Sequence, residues 1–247
     1  MPSSESRHTR TVLITGAARR IGRAIALDMA RDGWAVAIHY RNSRAEAEVL
    51  STEIAKAGGT AKIFAADLAN HAALKNLVAQ CAADLGAPHC LINNASEFLL
   101  DSVLTTDEAT WDKHLDINLK APVFLAQAMA EHLPTGVDGN IINIIDQRVW
   151  KLTPDFFSYT ISKAGLWTAT RTLAQGLAPR IRVNAIGPGP VLRSVHQTDA
   201  EFAAEQGATL LHTGPSPDEI AVAVKFILSS PSMTGQMIAL DGGQHLT

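Results

Sequence analysis

Tyr159-Thr160-Ile161-Ser162-Lys163 places a phenol and an amine four residues apart. On a helix both project from one face. An ammonium beside a phenol stabilises the phenolate and lowers the tyrosine pKa. The phenol can then pass a proton near neutral pH. The bare pattern is common, and a surface pair without chemistry reads the same way. What sets this pair apart is its place, one helix after the fifth β-type run and near a second group of residues.

That second group begins where Thr11–Thr15 runs into Gly16-Ala17-Ala18-Arg19-Arg20-Ile21-Gly22 and then a helix. Gly16 permits a tight turn, Gly22 lets the helix pack closely, and the exposed amides at the helix start suit a pyrophosphate. A glycine turn after a strand is common by itself. The next apolar run ends in His39-Tyr40-Arg41-Asn42-Ser43-Arg44, with no acid between Gly33 and Arg44. An NAD-binding chain places a carboxylate there, on the ribose 2′-hydroxyl. Guanidinium suits a 2′-phosphate instead, which it grips bidentately. Arg41 alone reads equally as a solvated surface arginine. With Arg20, and with Ser43 as a hydroxyl donor, it reads as a site for NADPH or NADP+, with Ile21, His39 and Asn42 as further contacts. Asp67-Leu68 follows the third run, where a carboxylate either accepts from the adenine amino group or caps the next helix. Asn93-Asn94-Ala95 follows the fourth; Asn94 and Ala95 either let the backbone approach the cofactor or make an ordinary Asn-rich turn.

The elements that must position these groups alternate strictly. The β-branched apolar runs are Thr11–Thr15, Ala35–His39, Ala61–Ala65, Cys90–Ile92, Asn140–Ile145, Arg182–Ala185 and Gln236–Leu240. Between them lie amphipathic segments at Arg20–Arg31, Ser43–Lys56, His71–Leu85, Thr106–His132, Ser158–Leu177 and Pro217–Leu228. This order predicts a Rossmann-type α/β fold, a doubly wound parallel sheet with helices on both faces, in a single domain over residues 11–247. Residues 187–217 break the pattern with Pro188, Pro190, Pro215 and Pro217, and Thr198–Leu211 within them reads as a short helix. An insertion at the carboxyl end of a strand usually covers a ligand, and the alternative is a plain surface loop.

Bulk properties agree with one such domain. The chain has 247 residues, 47% of them apolar, enough to cover both faces of a parallel sheet. A net charge of -3 without a long basic block argues against nucleic acid as partner. Cys81 and Cys90 form no CxxC pair, and no His cluster has metal spacing, so no metal site is expected and a reducing cytoplasm fits. Residues 1–10 are polar and read as a flexible tail, not a signal peptide. No apolar stretch of about 18 residues exists to span a membrane.

Taken in order, Thr15-Gly16 to Gly22, Asn93-Asn94-Ala95, Asn118 in Asp116-Ile117-Asn118, Tyr159 with Lys163, and Pro188-Gly189 resemble the short-chain dehydrogenase/reductase family from about residue 11 onward. The resemblance implies a proton donor at Tyr159, a lysine at 163 that binds the nicotinamide ribose and tunes the tyrosine, and a relay water held by Asn118. It also implies cofactor contacts at Pro188 and Gly189 and a homotetramer. Two positions depart from the family's pattern: Arg20 replaces its middle glycine, and Asp146 replaces its catalytic serine. Both departures are similar to the pteridine reductases and the bacterial dihydromonapterin reductases. His39-Tyr40-Arg41, Asn93-Asn94-Ala95-Ser96 and the tail Leu240–Leu246 resemble that branch too. The likeness implies a pterin-stacking role for Phe98, for which ordinary packing is the competing reading, and substrate contacts at Ser96 and Arg20.

Elementary chemistry gives Asp146 its own weight. A ketone reductase develops an alkoxide, which a serine hydroxyl stabilises and a carboxylate repels. A C=N bond differs because its nitrogen must gain a proton, and a carboxyl group can relay one or orient an amine-rich ring. Asp146 would raise the Tyr159 pKa while Lys163 lowers it, a balance that depends on distances. A strand-end cap is the plainer reading of Asp146. The leading expectation is an NADPH-dependent reductase of a dihydropterin, of the dihydromonapterin, dihydrobiopterin or dihydrofolate class. The rivals are an ordinary carbonyl reductase and a catalytically silent NADPH-binding regulator.

Cofactor choice follows directly. Charged hydrogen bonds to phosphate contribute about 1.5–3 kcal/mol each, so NADPH should be preferred over NADH by roughly tenfold or more. Arg41→Asp should shrink or reverse the preference; steady-state kinetics with both cofactors checks this, and equal efficiency in the unmutated protein contradicts it.

Overall fold

The computed structural model describes residues 10–247. The expected tail therefore lies outside the described residues except for Arg10, which is tied to the fold. Its carbonyl accepts from the Ala35 amide at 2.9 Å, and its guanidinium sits 4.4 Å from the Trp34 ring centroid.

Seven parallel strands form one sheet in the order β3-β2-β1-β4-β5-β6-β7. They are β1 (Thr11–Ile14), β2 (Ala35–Tyr40), β3 (Thr60–Ala65), β4 (Pro88–Asn93), β5 (Gly139–Ile144), β6 (Ile181–Pro188) and β7 (Met237–Leu240). Side chains alternate across the pleat and feed two separate cores. Val12, Ile14, Val36 and Ile38 pack with Ile25 and Met29 of α1 (Arg20–Arg31) and with Ala47, Leu50 and Ile54 of α2 (Arg44–Lys56). Leu13, Ala37, Leu91 and Ile141 face the other way, onto Leu74, Leu77 and Cys81 of α3 (His71–Leu85). This is why nearly every strand residue is apolar: helices cover both faces.

The strand order reverses between β1 and β4, and there the helices leave on opposite faces. That geometry opens a crevice at the carboxyl ends of the strands, where open α/β sheets hold ligands.

The segment 106–132 is not one helix. α4 (Glu108–Leu115) and α5 (Ala121–His132) are joined by a π-helical turn, Asp116–Lys120. The Ala121 amide reaches back five residues to Asp116. Pro122 accounts for the widening, because it has no N–H for the carbonyl four residues before it, that of Asn118. Such turns recur at functional positions.

β6 runs three residues further than its apolar pattern indicates, so Gly187 and Pro188 belong to the sheet and pair with Ala239 and Leu240 of β7. The rest of the proline-rich segment folds around α7 (Asp199–Gly207), whose Thr198 and Glu201 form a reciprocal capping box, and leads into α8 (Pro217–Leu228). α6 (Phe157–Leu177) carries Tyr159 and Lys163. Cys81 and Cys90 are buried free thiols. Among the described residues no helix is long and apolar enough to cross a membrane, and no group of three His, Cys, Asp or Glu could hold a metal ion.

Candidate active site

A cleft of about 810 Å³ occupies the crevice. Every candidate residue named above lines it except Gly22 and Asn118, which stand behind its wall.

The β1–α1 turn is fastened from several sides. Gly16 has φ +62°, a conformation that favours glycine, and its amide donates to Nδ1 of His39 at 3.1 Å. Thr15 Oγ1 accepts from the amides of Asn94 and Ala95, while the Asn94 side-chain amide donates to the carbonyls of Thr15 and Gly16. A Cβ on Gly22 would fall 2.5 Å from the Gly16 carbonyl oxygen, so only glycine allows this approach. His39 is 2% exposed, with Nε2 3.1 Å from the Ala66 carbonyl. Because Nδ1 accepts, the proton sits on Nε2 and donates to that carbonyl. Burial, followed by the charge of Arg41, holds its pKa down at about 4 against the pull of Ala66 and Asp67. His39 thus shapes the turn as a neutral strut besides lining the cleft.

Arg20 occupies the left-handed region with φ +56°. Its guanidinium donates to the Leu192 carbonyl at 3.0 Å and the Arg193 carbonyl at 2.9 Å. It therefore ties the first turn to the 187–217 segment. Arg41 pairs with Glu97 at 2.7 Å across the cleft, a partner that no motif in the sequence announces. Asp67 does not cap α3. Asn70 does, accepting from the amides of Ala72 and Ala73, and Asp67 instead closes a short turn onto the Ala69 amide.

At the other end, the Tyr159 hydroxyl donates to Asp146 Oδ2 at 2.8 Å. Asp146 Oδ1 accepts from the Arg148 amide at 2.8 Å, so the residue is also a cap, for the 3-10 turn Gln147–Val149. Lys163 Nζ donates to the Ile144 carbonyl at 2.9 Å and lies 5.7 Å from the Tyr159 ring centroid. Burial raises the Tyr159 pKa well above 10, and the neighbouring Asp146 raises it further. Asp146 is itself raised by burial, against the pull of Arg148, Tyr159 and Lys163. Burial lowers Lys163 to about 8, with Asp146 opposing. Burial first, and Asp146 after it, outweigh the lowering pull of Arg148, and Tyr159 is held as a neutral phenol.

Asn118 is fully buried and its side chain is spent. It accepts from the Glu97 amide and Ser96 Oγ, and donates to the Glu97 carbonyl and Ser162 Oγ. Phe98 stacks on Phe156 with centroids 4.1 Å apart and meets Tyr159 edge-on at 4.7 Å. Arg148 lies over the far ring, 5.3 Å from the Phe156 centroid. Sequence reasoning missed Glu97, Gln147, Arg148, Phe156, Glu205 and Gln244, all in the cleft wall. Their one sequence signal is adjacency to motif residues or to the C-terminal tail. His196 lines the cleft too, with Nε2 3.1 Å from the Phe98 carbonyl, whereas His245 pairs with Asp241.

The family model described as enoyl-(acyl carrier protein) reductase matches residues 16–245. A 3-oxoacyl-[acyl-carrier-protein] reductase of Staphylococcus aureus is 31% identical over 244 residues, 96% of this chain and 99% of that protein. A FolM alternative dihydrofolate reductase 1 from Brucella canis, solved in complex with NADP, superposes with a TM-score of 0.95 at 49% identity. The match covers 97% of this chain and 95% of that one. The Brucella suis enzyme gives a TM-score of 0.94 at 50% identity over 96% of both chains. The chain belongs to the short-chain dehydrogenase/reductase family. Within that family it stands beside the alternative dihydrofolate reductases, in the pteridine reductase-like branch.

Family membership makes Arg20 informative. The family's usual glycine adopts a positive φ freely, whereas arginine there costs about 1–2 kcal/mol. Two hydrogen bonds to loop carbonyls offset much of that, at about 1 kcal/mol each. Arg20→Gly should therefore leave Tm within about 4 °C. It should quicken amide exchange through residues 192–197 and raise the KM of the substrate. Hydrogen exchange and kinetics check this; unchanged exchange in the loop contradicts it.

Proposed function

We propose that this reductase uses NADPH to reduce the C=N bond of a dihydropterin, of the dihydromonapterin, dihydrobiopterin or dihydrofolate class. One observation carries the reading: where the family places serine, a carboxylate accepts the hydrogen bond of the candidate proton donor. The Brucella structures complexed with NADP, from proteins named alternative dihydrofolate reductases, support it.

The residues present fit the cofactor. Gly22 leaves no room for a Cβ and Gly16 holds a positive φ, and the amides at the start of α1 suit a pyrophosphate. Arg41, Asn42 and Ser43 offer cationic, amide and hydroxyl donors that suit a 2′-phosphate, which would compete with Glu97 for the Arg41 guanidinium. Ile21, His39, Asp67, Leu68, Asn94 and Ala95 would wall the adenosine half, and Pro188 and Gly189 the nicotinamide half. Bound NADPH supplies the hydride that reduces the ring carbon.

The chain's own residues handle the proton and the ring. Tyr159 stays a neutral phenol and so holds a proton to give, as a reductase of C=N needs at the ring nitrogen. Asp146 orients that hydroxyl, and its raised pKa lets it take part, with water, in returning a proton to the phenol. Lys163 provides positive charge beside the ring as the proton leaves. Asn118 has its side chain engaged, and its main-chain carbonyl, which Pro122 has no N–H to meet, is the group we assign to the relay water. Phe98, fixed by Phe156, offers a face for a planar heterocycle, with Ser96 and Arg20 nearby. We place the enzyme in the cytoplasm, a reducing compartment that its free thiols fit, and as a homotetramer on family likeness.

The likeness to 3-oxoacyl reductases favours a second reading, a carbonyl reductase. Asp146 separates the two. Asp146→Ser restores the family residue and should lower turnover on dihydropterins by roughly 10²-fold. Turnover on simple ketones should survive or rise, since serine donates to an alkoxide that carboxylate repels. Steady-state kinetics on both substrate classes, with a melting curve, decides it. Unchanged dihydropterin kinetics in a well-folded variant would return Asp146 to a capping role and favour the carbonyl reductase.

A further inference from the structure

α6 begins without a cap of its own. Phe156, the residue before it, has φ +56° and offers no side-chain hydrogen bond to the helix start. The orphan amides of a helix start need partners. Asp101 supplies them from a different loop: its carbonyl accepts from the amides of Phe156 at 2.9 Å and Phe157 at 3.4 Å. Both oxygens of its carboxylate accept from the Ser158 amide at 3.2 Å.

The chain of contacts then continues. The Ser158 hydroxyl donates to Asp101 Oδ2 and stands 2.7 Å from His114 Nδ1. His114 Nε2 accepts from the Leu99 amide at 3.0 Å. Since Nε2 accepts, Nδ1 carries the proton and donates to Ser158. Asp101, His114 and Ser158 are 4%, 0% and 0% exposed, and none lines the cleft. Yet the chain ends on the backbone next to Phe98 and on the backbone next to Tyr159, whose rings meet in the cleft at 4.7 Å.

We propose that Asp101, Ser158 and His114 are positioning residues, a buried chain that sets Phe98 and Tyr159 relative to each other for turnover. A chain of this kind works only if every member is satisfied, because a buried polar group left alone is strongly unfavourable. Burial keeps His114 neutral against the pull of Asp101 and Glu97, while Lys113 and Lys163 act in the same direction as burial. Protonation would put an N–H against the Leu99 amide and break the chain at that point. The inference rests on Tyr159 as proton donor, not on the identity of the substrate.

The test uses the full-length enzyme with Ser158→Ala, His114→Gln and His114→Leu. Ser158→Ala should lower kcat by roughly tenfold to a hundredfold while the Kd for NADPH, read by fluorescence titration, stays within about twofold. His114→Gln, which can present an amide oxygen to Leu99, should retain more of kcat than His114→Leu. A lowered Tm with wild-type kcat well below melting, or kcat and NADPH affinity falling in parallel, overturns the proposal. If Ser158→Ala does not fold, equal kcat in the two His114 variants overturns it. A wild-type enzyme inactive on dihydropterins but active on ketones defeats the substrate reading instead, and the same comparison is then made on ketones.

Discussion

The candidate catalytic end depends on one hydrogen bond, from the Tyr159 hydroxyl to Asp146 at 2.8 Å. In a buried setting a phenol next to a carboxylate resists ionising until an acceptor takes its proton, because two negative charges would share a space with little water. Lys163 does not reverse this, because its ammonium is engaged by the Ile144 carbonyl and burial lowers its pKa to about 8. The pair therefore stores a proton where a plain phenol–ammonium pair would favour releasing it. Chemistry that must place a proton on nitrogen gains from that arrangement, whereas chemistry that stabilises an alkoxide does not.

Geometry around the bond is fixed by the sheet. Asp146 follows β5, and Tyr159 stands near the start of α6, which packs on the neighbouring strand β6. The turn after β1 is bolted to the turn after β4 through Thr15, Gly16 and Asn94, and Asn118 bolts the next residues to α6 through Ser162. The loops of the cleft wall are thus held by polar contacts together with the packing of Ala18, Leu68 and Val191 and the Phe98–Phe156 stack. Arg20 ties the β1–α1 turn to the 187–217 segment, and Glu97 reaches across to Arg41.

Local signals in the sequence carried most of this. Strand and helix periods fixed the parallel sheet because apolar runs and amphipathic segments follow from packing on two faces. Gly16, Gly22, Tyr159 and Lys163 were legible because each residue type meets a need set by its immediate neighbours. What stayed hidden depends on long-range pairing. The π-helical turn at Asn118 looked like continuous helix, since apolar periodicity hardly changes across it. Glu97 meets Arg41 from a loop 56 positions away, and Asp101 caps a helix 57 positions on. Asp146 was found as a departure from a pattern, but its effect on Tyr159 needed distances.

Burial together with Asp146 holds Tyr159 as a neutral phenol, and the chain makes a direct measurement of the Asp146 share simple. Its two tyrosines are Tyr40 and Tyr159, so Tyr40→Phe leaves Tyr159 as the sole source of tyrosinate absorbance. The ultraviolet signal is titrated with pH in this variant and in the same variant carrying Asp146→Ser, with circular dichroism confirming the fold throughout. The account predicts no tyrosinate from Tyr159 up to the ordinary phenol pKa of about 10, and ionisation at lower pH once Asp146 is replaced. Ionisation of Tyr159 near neutral pH with Asp146 in place would contradict it.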